Sequence, residues 1–292
     1  MNRVPKSSQV IDVNPDFKNR SILITGCSSG IGYYAAKTLH DRGYQVYATT
    51  RKAADTELLS SHGIRTLQLD LDDSRSIENT VAVVLKETGG KLYGLFNNGG
   101  FGQPGAVEDI PTDALRAQFE TLVFGWHELT RKIIPVMRAQ GHGRIIQNSS
   151  VLGFAAMPHR GAYNAAKFAI EGLSDTLRLE LRATDIHVSI IQPGPIKSRF
   201  RQHALTKFKQ HIDSDNSVHA ASYQKTLQRL ETREETNHFT LGPEAVTDKL
   251  IHALEHQRPR SRYRVTTPTI AFAVAKRLFP TSVLDRILSK VT

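Results

Sequence analysis

The stretch SILITGCSSGIG, residues 21–32, decides the predicted fold. An apolar run typical of a buried strand ends in three glycines, and a helix-like segment follows at once. Such glycines let the backbone approach a pyrophosphate, whose charge is met by N–H groups at the start of the helix. The stretch therefore predicts a dinucleotide site; the alternative is a turn that only connects two elements. The predicted contacts are Gly26, Ser28, Ser29, Gly30, Ile31 and Gly32.

Short apolar runs alternate with helical patterns along most of the chain. After the first run come YQVYATT, RTLQLD, LYGLFN, RIIQNSS, HVSIIQP and RYRVT. Repeated βα units require a parallel sheet with helices on both faces. We therefore expect an α/β fold in a single domain, with a doubly wound, Rossmann-type parallel sheet of seven strands. The predicted domain spans 21–267, between a flexible lead-in at 1–20 and a basic amphipathic C-terminal helix at 268–292.

The composition is that of an ordinary globular protein, with 39% hydrophobic and 23% charged residues. The single cysteine, Cys27, excludes an internal disulfide and fits a reducing compartment, so we expect a cytoplasmic protein. The first 20 residues lack an apolar core, so we expect neither a signal peptide nor a membrane anchor.

The formal net charge of +10 is concentrated near the C-terminus. Residues 257–292 hold eight lysines and arginines against one acid, Asp285, and the rest of the chain is much closer to neutral, so we expect no nucleic-acid partner. Apolar and basic residues are mixed there at helical spacing, which allows peripheral contact with the anionic inner face of a membrane. The alternative is a terminal helix packed on the body or on a partner subunit.

The residues after the second apolar run indicate which dinucleotide is bound. An NAD site carries an acid about 20 residues beyond the glycines, where it binds the ribose hydroxyls. Here the sequence is TTRK, with Arg51 and Lys52 at that place. Because arginine pairs with phosphate in a bidentate geometry, we expect NADP(H) to be preferred over NAD(H). The alternative is that both charges are simply solvated.

Residues 195–241 interrupt the alternation with polar, charged sequence. A long insertion after the sixth strand is usually functional rather than part of the core. We interpret this region as a cap over the substrate.

Two Tyr-x-x-x-Lys patterns occur, Tyr33 with Lys37 and Tyr163 with Lys167, and helical spacing places each pair on one face. Only the second has suitable neighbours. Ser150 ends the run RIIQNSS, and the Pro-Gly turn ends the run HVSIIQP. Because open α/β sheets bind their ligands at the carboxyl ends of the strands, these residues are expected at one edge.

In order along the chain, TGCSSGIG, Asn97-Asn98-Gly99-Gly100, Ser150, Tyr163-x-x-x-Lys167 and Pro193-Gly194 resemble the motifs of the short-chain dehydrogenase/reductase family. The resemblance covers about residues 21–263. The C-terminal part, with FTLGPEAV and the basic tail, is most similar to the branch of retinol and hydroxysteroid dehydrogenases and aldehyde reductases.

The resemblance implies an oxidoreductase acting on an apolar aldehyde or ketone, or on the alcohol in reverse. Tyr163 would exchange a proton with the substrate oxygen, Lys167 would lower the pKa of Tyr163 and hold the nicotinamide ribose, and Ser150 would bind the carbonyl. The family commonly forms dimers and tetramers, so we expect a homo-oligomer. Asp70 has the alternative role of capping the next helix. Further implied cofactor contacts are Asp70, Leu71, Asn98, Gly99, Gly100, Pro193, Gly194, Ile196 and Ser198.

The sequence departs from the family at two positions. Gly99 replaces the usual alanine, a small change. Leu122 stands where members usually have an asparagine thought to hold a water that links the lysine to solvent, and leucine cannot hydrogen-bond. This motivates a second hypothesis, in which the chain is a catalytically weak NADP(H)-binding sensor or scaffold.

His252-Ala-Leu-Glu255-His256 matches a zinc metalloprotease pattern. It lies in a late polar helix, and the sequence offers no evident third ligand. We therefore expect a solvated helix face and no metal.

Overall fold

The computed structural model describes residues 17–231 and 239–289. Most of the predicted lead-in at 1–20 lies outside the described residues, as does the end of the predicted C-terminal helix.

Seven parallel strands form one sheet in the order β3-β2-β1-β4-β5-β6-β7. Strand β1 pairs with β2 on one side and β4 on the other, so the strand order reverses next to the glycine turn. Such a reversal opens a crevice beyond the carboxyl ends of the strands, where open sheets bind ligands. The strands are β1 (Ser21–Ile24), β2 (Gln45–Thr50), β3 (Arg65–Gln68), β4 (Gly94–Asn97), β5 (His142–Asn148), β6 (Asp185–Gln192) and β7 (Arg262–Arg264).

Helices cover both faces of the sheet, which confirms the predicted doubly wound, seven-stranded fold in a single domain. The helices within the described residues are α1 (Gly30–Asp41), α2 (Thr56–Ser60), α3 (Ser74–Glu87), α4 (Thr112–Phe119), α5 (Trp126–Gln140), α6 (Gly161–Glu180), α7 (Phe200–His211), α8 (Ala220–Glu231), α9 (Glu244–Glu255), α10 (Thr267–Leu278) and α11 (Thr281–Leu288).

Two apolar clusters hold these layers together. On one face, Leu39 of α1 and Leu250 of α9 are buried with the strand residue Ile22. On the other face of the sheet, Ile133 of α5 and Ile170 of α6 are buried against apolar side chains of the strands. Each such side chain contributes about 1.5–3 kcal/mol when fully buried, so the sheet edge that carries the site rests on a rigid core.

Helices α4 and α5 are joined by one π-helical segment, Glu120–Gly125. At its end, a methyl group added to Gly125 would lie only 2.2 Å from the carbonyl oxygen of Leu71. The segment thus packs backbone against backbone beside the loop after β3. Single π turns within helices often occur at functional sites.

The predicted cap region contains helices α7 and α8. Phe208 of α7 and Tyr223 of α8 are buried together, with ring centroids 5.1 Å apart. The Tyr223 hydroxyl donates to Asp109 Oδ2 at 2.5 Å and accepts from the Ala106 backbone N–H at 2.9 Å. These contacts fasten the cap to the loop that follows β4.

The C-terminal region differs from the single helix expected at 268–292. Helices α10 and α11 are separate, and Phe279 and Pro280 between them have extended backbone. Proline lacks an N–H and its ring clashes within a helix, so it ends α10 and begins α11.

Candidate active site

The glycine turn lies between β1 and α1, as the sequence predicts. Gly26 and Gly30 have φ angles of +71° and +59°, in the left-handed region that favours glycine. A methyl group added at Gly26 would lie 2.4 Å from Gly99 Cα, and one added at Gly32 would lie 2.3 Å from the carbonyl oxygen of Gly26. The turn therefore has no room for a residue larger than glycine at these positions.

Helix α1 presents its N-terminus at this turn. Ser29 precedes the helix with extended backbone, and within the described part of the chain its side chain makes no capping hydrogen bond. The first turn of α1 contains no acidic residue, and Ile31 packs against the core behind it. Free N–H groups and the helix dipole favour an anion here, so the turn fits the pyrophosphate of a dinucleotide.

The segment after β4 is fastened to the glycine turn. Thr25 Oγ1 accepts the backbone N–H groups of Asn98 and Gly99, both at 2.8 Å. The Asn98 amide donates to the carbonyl oxygens of Thr25 and Gly26 at 2.9 and 3.2 Å, and the Trp126 indole donates to Gly99 O at 2.8 Å. The predicted contact residues Asn98 and Gly99 thus form one wall with the turn.

Ser150, Tyr163 and Lys167 converge at the carboxyl end of β5. Ser150 lies two residues beyond the strand, and Tyr163 and Lys167 lie one turn apart at the start of α6. The Lys167 ammonium donates to the backbone oxygen of Asn148 at 2.7 Å. It lies 4.4 Å from the Trp126 ring centroid and 5.5 Å from that of Tyr163. Helix α6 thus brings both side chains to the end of the neighbouring strand.

Burial dominates the electrostatics of this group. Burial lowers the pKa of Lys167 to about 7, and the Glu171 carboxylate partly opposes it. Burial also raises the pKa of Tyr163 above its usual range, and a polar contact with the Ser150 side chain opposes that rise. The lowering of the tyrosine pKa by the lysine therefore remains a prediction.

The predicted turn after β6 closes the same edge. The Pro193 carbonyl accepts the backbone N–H of Val151 at 2.7 Å, next to Ser150. A methyl group added at Gly194 would lie 2.1 Å from Thr266 Oγ1, so Gly194 packs closely on the residue that precedes α10.

Beyond this turn the chain crosses back to the glycine turn. Ile196 pairs with Leu241 across an isolated β-bridge, which joins the two ends of the cap region. A methyl group added at Gly30 would lie 2.8 Å from Ser198 Cβ. Ser198 therefore lies directly against the first residue of α1, on the predicted cofactor side.

Arg51 and Lys52 follow β2 and are exposed. Their backbone carbonyls are held in place: Gln68 Nε2 donates to Arg51 O at 3.1 Å, and the Thr50 hydroxyl donates to Lys52 O at 3.0 Å. The exposed side chains of both residues can therefore meet a solvent-facing phosphate.

Asp70 does not cap the next helix, which answers one alternative left open by the sequence. Asp73 is the N-cap of α3, and its side chain accepts the Arg75 backbone N–H at 2.9 Å. Asp70 Oδ1 instead accepts the backbone N–H of Asp72 at 3.1 Å, while Leu71 is buried beside it. The adenine contact implied for Asp70 and Leu71 stays a prediction.

Leu122 is 1% exposed and lies in the π-helical segment. A methyl group added at Gly100 would lie 2.3 Å from Leu122 Cδ2, so the leucine side chain fills the space above that glycine. An apolar side chain thus occupies the place where the family usually has an amide.

Sequence reasoning missed three residues of the site, Thr25, Asn148 and Trp126. Thr25 belongs to the quoted motif TGCSSGIG and Asn148 to the run RIIQNSS, so their positions could have been noticed. Trp126 is the only tryptophan of the chain, but nothing local indicates that its ring faces Lys167. The turn residue Cys27 is inert, because burial raises its pKa to about 12.

The zinc-like pattern in α9 is used for packing. Glu255 forms an ion pair with Arg42 at 2.8 Å. The rings of His252 and His256 stack at 4.5 Å, and His252 Nδ1 lies 2.9 Å from the Tyr263 hydroxyl. Among the described residues no cluster of three or more His, Cys, Asp or Glu could hold a metal ion.

The fold and these residues define a class: an oxidoreductase built on a dinucleotide-binding sheet. A family model described as short chain dehydrogenase matches residues 20–208. The chain belongs to the short-chain dehydrogenase/reductase family, whose fold binds NAD or NADP. A solved short-chain dehydrogenase/reductase from Burkholderia phymatum, in complex with NAD, has a TM-score of 0.75 and 22% identity, covering 88% of this chain and 92% of that one.

Several curated proteins resemble most of the chain. The uncharacterised oxidoreductase YbbO of Escherichia coli strain K12 is 42% identical, covering 92% of this chain and 94% of that protein. An NADPH-dependent 3-dehydrocapnine reductase of Ornithobacterium rhinotracheale is 31% identical, covering 93% and 96%. The human 17-beta-hydroxysteroid dehydrogenase type 1 is 31% identical, covering 84% and 77%. The expected resemblance to the branch with hydroxysteroid dehydrogenases is confirmed.

Proposed function

We propose that this protein reduces an apolar aldehyde or ketone to the alcohol with NADPH, or runs the reverse oxidation, with Tyr163 as the general acid or base. The observation that carries the proposal is the convergence of Ser150, Tyr163 and Lys167 beside the glycine turn. A bound nicotinamide would supply the hydride to the carbonyl carbon. The side chains of this site bind the carbonyl oxygen and supply the proton that oxygen requires.

Each of the three residues has a distinct task. The Ser150 hydroxyl would hold the carbonyl oxygen, and the Tyr163 hydroxyl would donate its proton to that oxygen. The Lys167 ammonium would favour the tyrosinate that remains. Lys167 Nζ lies 5.5 Å from the Tyr163 ring centroid, and a full charge at about that distance in an effective dielectric near 20 is worth about 3 kcal/mol to the tyrosinate, or roughly two pKa units. Because the pKa of Lys167 is about 7, the lysine is only partly charged at neutral pH, and this contribution grows below pH 7.

Arg51 and Lys52 support the preference for NADPH. They follow β2, where an NAD site carries an acid, and they expose two positive charges. The relative from Ornithobacterium rhinotracheale is named as NADPH-dependent. A guanidinium pairs with a phosphate group in a bidentate geometry, which no ribose hydroxyl can match.

The surroundings of Tyr163 support an apolar substrate. The Phe200 ring of the cap meets the Tyr163 ring edge to face, with centroids 5.4 Å apart. A methyl group added at Gly102 would lie 2.8 Å from the tip of the Phe200 ring. An aromatic ring packed beside Tyr163 favours a substrate with a hydrophobic chain or ring.

The first test follows NADPH and NADH consumption with a panel of apolar aldehydes and ketones of graded size. We expect turnover with NADPH, at least tenfold slower turnover with NADH, and loss of turnover in Tyr163→Phe. Saturable NADPH binding without consumption of NADPH on any carbonyl would contradict the proposal.

That contrary result would favour the second candidate, a catalytically weak NADP(H)-binding protein. The buried Leu122 is the observation that supports it, because a leucine cannot hold the water of a proton relay. The second candidate predicts cofactor binding that Tyr163→Phe leaves unchanged and no rate for that variant to lose.

We propose a homo-oligomer that joins through the helices carrying Leu122 and Tyr163. Large apolar side chains are exposed on these helices, among them Phe124, Leu173 and Leu179, which is 62% exposed. Burying such residues favours a second copy of the chain as partner. Light scattering should give a multiple of 32.5 kDa, and Leu179→Glu should reduce it; a monomer at all concentrations would contradict the proposal.

We also place the protein in the cytoplasm, with a peripheral contact to an anionic membrane through α10. Ile270, Val274 and Leu278 recur every four residues and are exposed, and Arg277 beside them is exposed as well. The Lys276 ammonium is directed to the body of the protein, where it donates to Phe154 O at 2.7 Å. Within the described residues, no helix is both long and apolar enough to cross a bilayer. Co-sedimentation with phosphatidylglycerol vesicles but not with phosphatidylcholine vesicles is expected. Equal recovery with both, or assembly of copies through this face, would contradict the contact.

A further inference from the structure

The first residues of the cap touch the glycine turn directly. The Arg199 guanidinium donates to the backbone oxygen of Ser28 at 2.6 Å. Its neighbour Ser198 lies against Gly30 at the start of α1. Residues 198 and 199 therefore reach across the crevice and contact the segment that fits the cofactor phosphates.

Arg199 also belongs to a group of positive charges. His203, one helical turn further along the cap, has its pKa lowered by burial and by the charges of Arg199, Arg51 and Lys52. The Asp55 carboxylate opposes this shift. Charges from two distant parts of the chain, the end of β2 and the start of α7, thus act on one imidazole.

The hydrogen bond to Ser28 orients Arg199 but uses little of its capacity. A guanidinium carries five N–H donors in a rigid plane, and the Ser28 carbonyl accepts from one nitrogen only. The remaining donors suit a phosphate, which guanidinium groups bind in a paired geometry.

We propose that Arg199, with His203 beside it, is a cationic arm of the cofactor site that binds a phosphate of the dinucleotide opposite Arg51 and Lys52. This inference rests on the proposed function. The phosphate is the 2′-phosphate of NADPH, because the glycine turn that Arg199 contacts is hydrogen-bonded to the end of β2, which Arg51 and Lys52 follow. The cofactor is then held between the sheet and the cap, and its binding fastens the start of α7 over the site.

The test is calorimetric binding of NADP⁺ and of NAD⁺ to wild type, Arg199→Gln and Arg201→Gln. Arg201→Gln is the matched control, because it removes the same charge two residues further on, in the first turn of α7. We expect Arg199→Gln to weaken NADP⁺ binding about 10- to 100-fold, the range for a hydrogen-bonded charge, with a smaller loss for NAD⁺. The control should stay within about twofold of wild type, as for a surface charge.

The calorimetric experiment has three other possible results. Equal losses for both nucleotides would assign the arm to the pyrophosphate and overturn the proposed contact with the 2′-phosphate. Unchanged affinities in Arg199→Gln, with Arg51→Gln weakened for NADP⁺, overturn the inference and leave the proposed function intact. Failure of the wild type to bind either nucleotide overturns both.

A second measurement tests the fastening of the cap. Adenosine 2′,5′-bisphosphate carries the ribose phosphate without the nicotinamide or the pyrophosphate. We expect it to slow amide hydrogen exchange in residues 200–206 of the wild type and of Arg201→Gln, and not in Arg199→Gln. Equal slowing in Arg199→Gln would show that the arm does not link the phosphate to the cap.

Discussion

The two Tyr-x-x-x-Lys pairs of this chain have the same spacing and opposite surroundings. On α1, the Tyr33 hydroxyl lies 3.3 Å from His62 Nε2 at the surface, and Lys37 is exposed. On α6, Lys167 is 3% exposed, and its ammonium donates to the backbone of the neighbouring strand. The spacing places two side chains on one helix face, and the position of the helix on the sheet decides whether that face carries chemistry.

Burial is what separates the two pairs. Lys37 is exposed, whereas Lys167 is buried, and this burial lowers the pKa of Lys167 to about 7. A group whose pKa lies near neutral pH can take up or release a proton at the pH at which an enzyme operates.

The largest difference in kcat between the two pairs is expected when each tyrosine hydroxyl is removed. Tyr163→Phe should lower kcat by roughly 100- to 10,000-fold, the usual contribution of a general acid. Tyr33→Phe should stay within about twofold, since its hydroxyl contacts only a surface histidine in the described structure. Steady-state rates with NADPH measure both; equal losses in the two variants would refute the assignment.

The second comparison removes each lysine charge. Lys167→Met should lower kcat about 100-fold, because roughly 3 kcal/mol of support for the tyrosinate is lost. Lys37→Met should leave the rate unchanged. The same preparations should show weaker NADPH binding for Lys167→Met alone, and a rate loss in Lys37→Met would contradict the account.

The third comparison measures how the free energy of unfolding depends on pH in the wild type and in the two lysine variants. Between pH 7 and the ordinary lysine pKa of 10.5, the unfolded chain holds a proton that folded Lys167 has released. The free energy of unfolding therefore rises with pH in this window, by up to about 1.4 kcal/mol per unit from this group. Denaturant titrations from pH 7.5 to 9.5 should show a smaller rise in Lys167→Met than in the wild type. In Lys37→Met the free energy of unfolding should rise with pH as it does in the wild type. The same rise in all three proteins would exclude a lowered pKa for Lys167.

The smallest expected effect is that of Leu122→Asn. An amide could restore a water relay to Lys167, so we expect kcat to rise by less than about tenfold. Burying the amide beside Gly100 should lower the free energy of unfolding by roughly 1–3 kcal/mol. Leu122→Met is the matched control and should change neither by much. An unchanged kcat at full cofactor saturation would contradict the expected rise and show that the enzyme does not need the relay.

The fold was predictable because strand and helix patterns alternate without interruption up to β6, and because the turn between β1 and α1 needs glycine. The trio of Ser150, Tyr163 and Lys167 was predictable because parallel strands end at one edge. Pro280 in the sequence indicates a break between two terminal helices, and the prediction of one helix did not take this proline into account.

Contacts between distant segments were not predictable from local sequence. The Trp126 ring under Lys167 and the reach of Arg199 to Ser28 depend on how helices pack on the sheet. The packing of Leu122 on Gly100 arises in a π-helical segment that no local pattern marks.

One experiment tests the central claim directly: NADPH consumption and NADPH binding in the same preparations of wild type, Tyr163→Phe and Tyr33→Phe, with an apolar carbonyl that the wild type accepts. The account predicts equal binding in all three, with turnover lost only in Tyr163→Phe. Turnover that survives in Tyr163→Phe, or is lost in Tyr33→Phe at full binding, would contradict it.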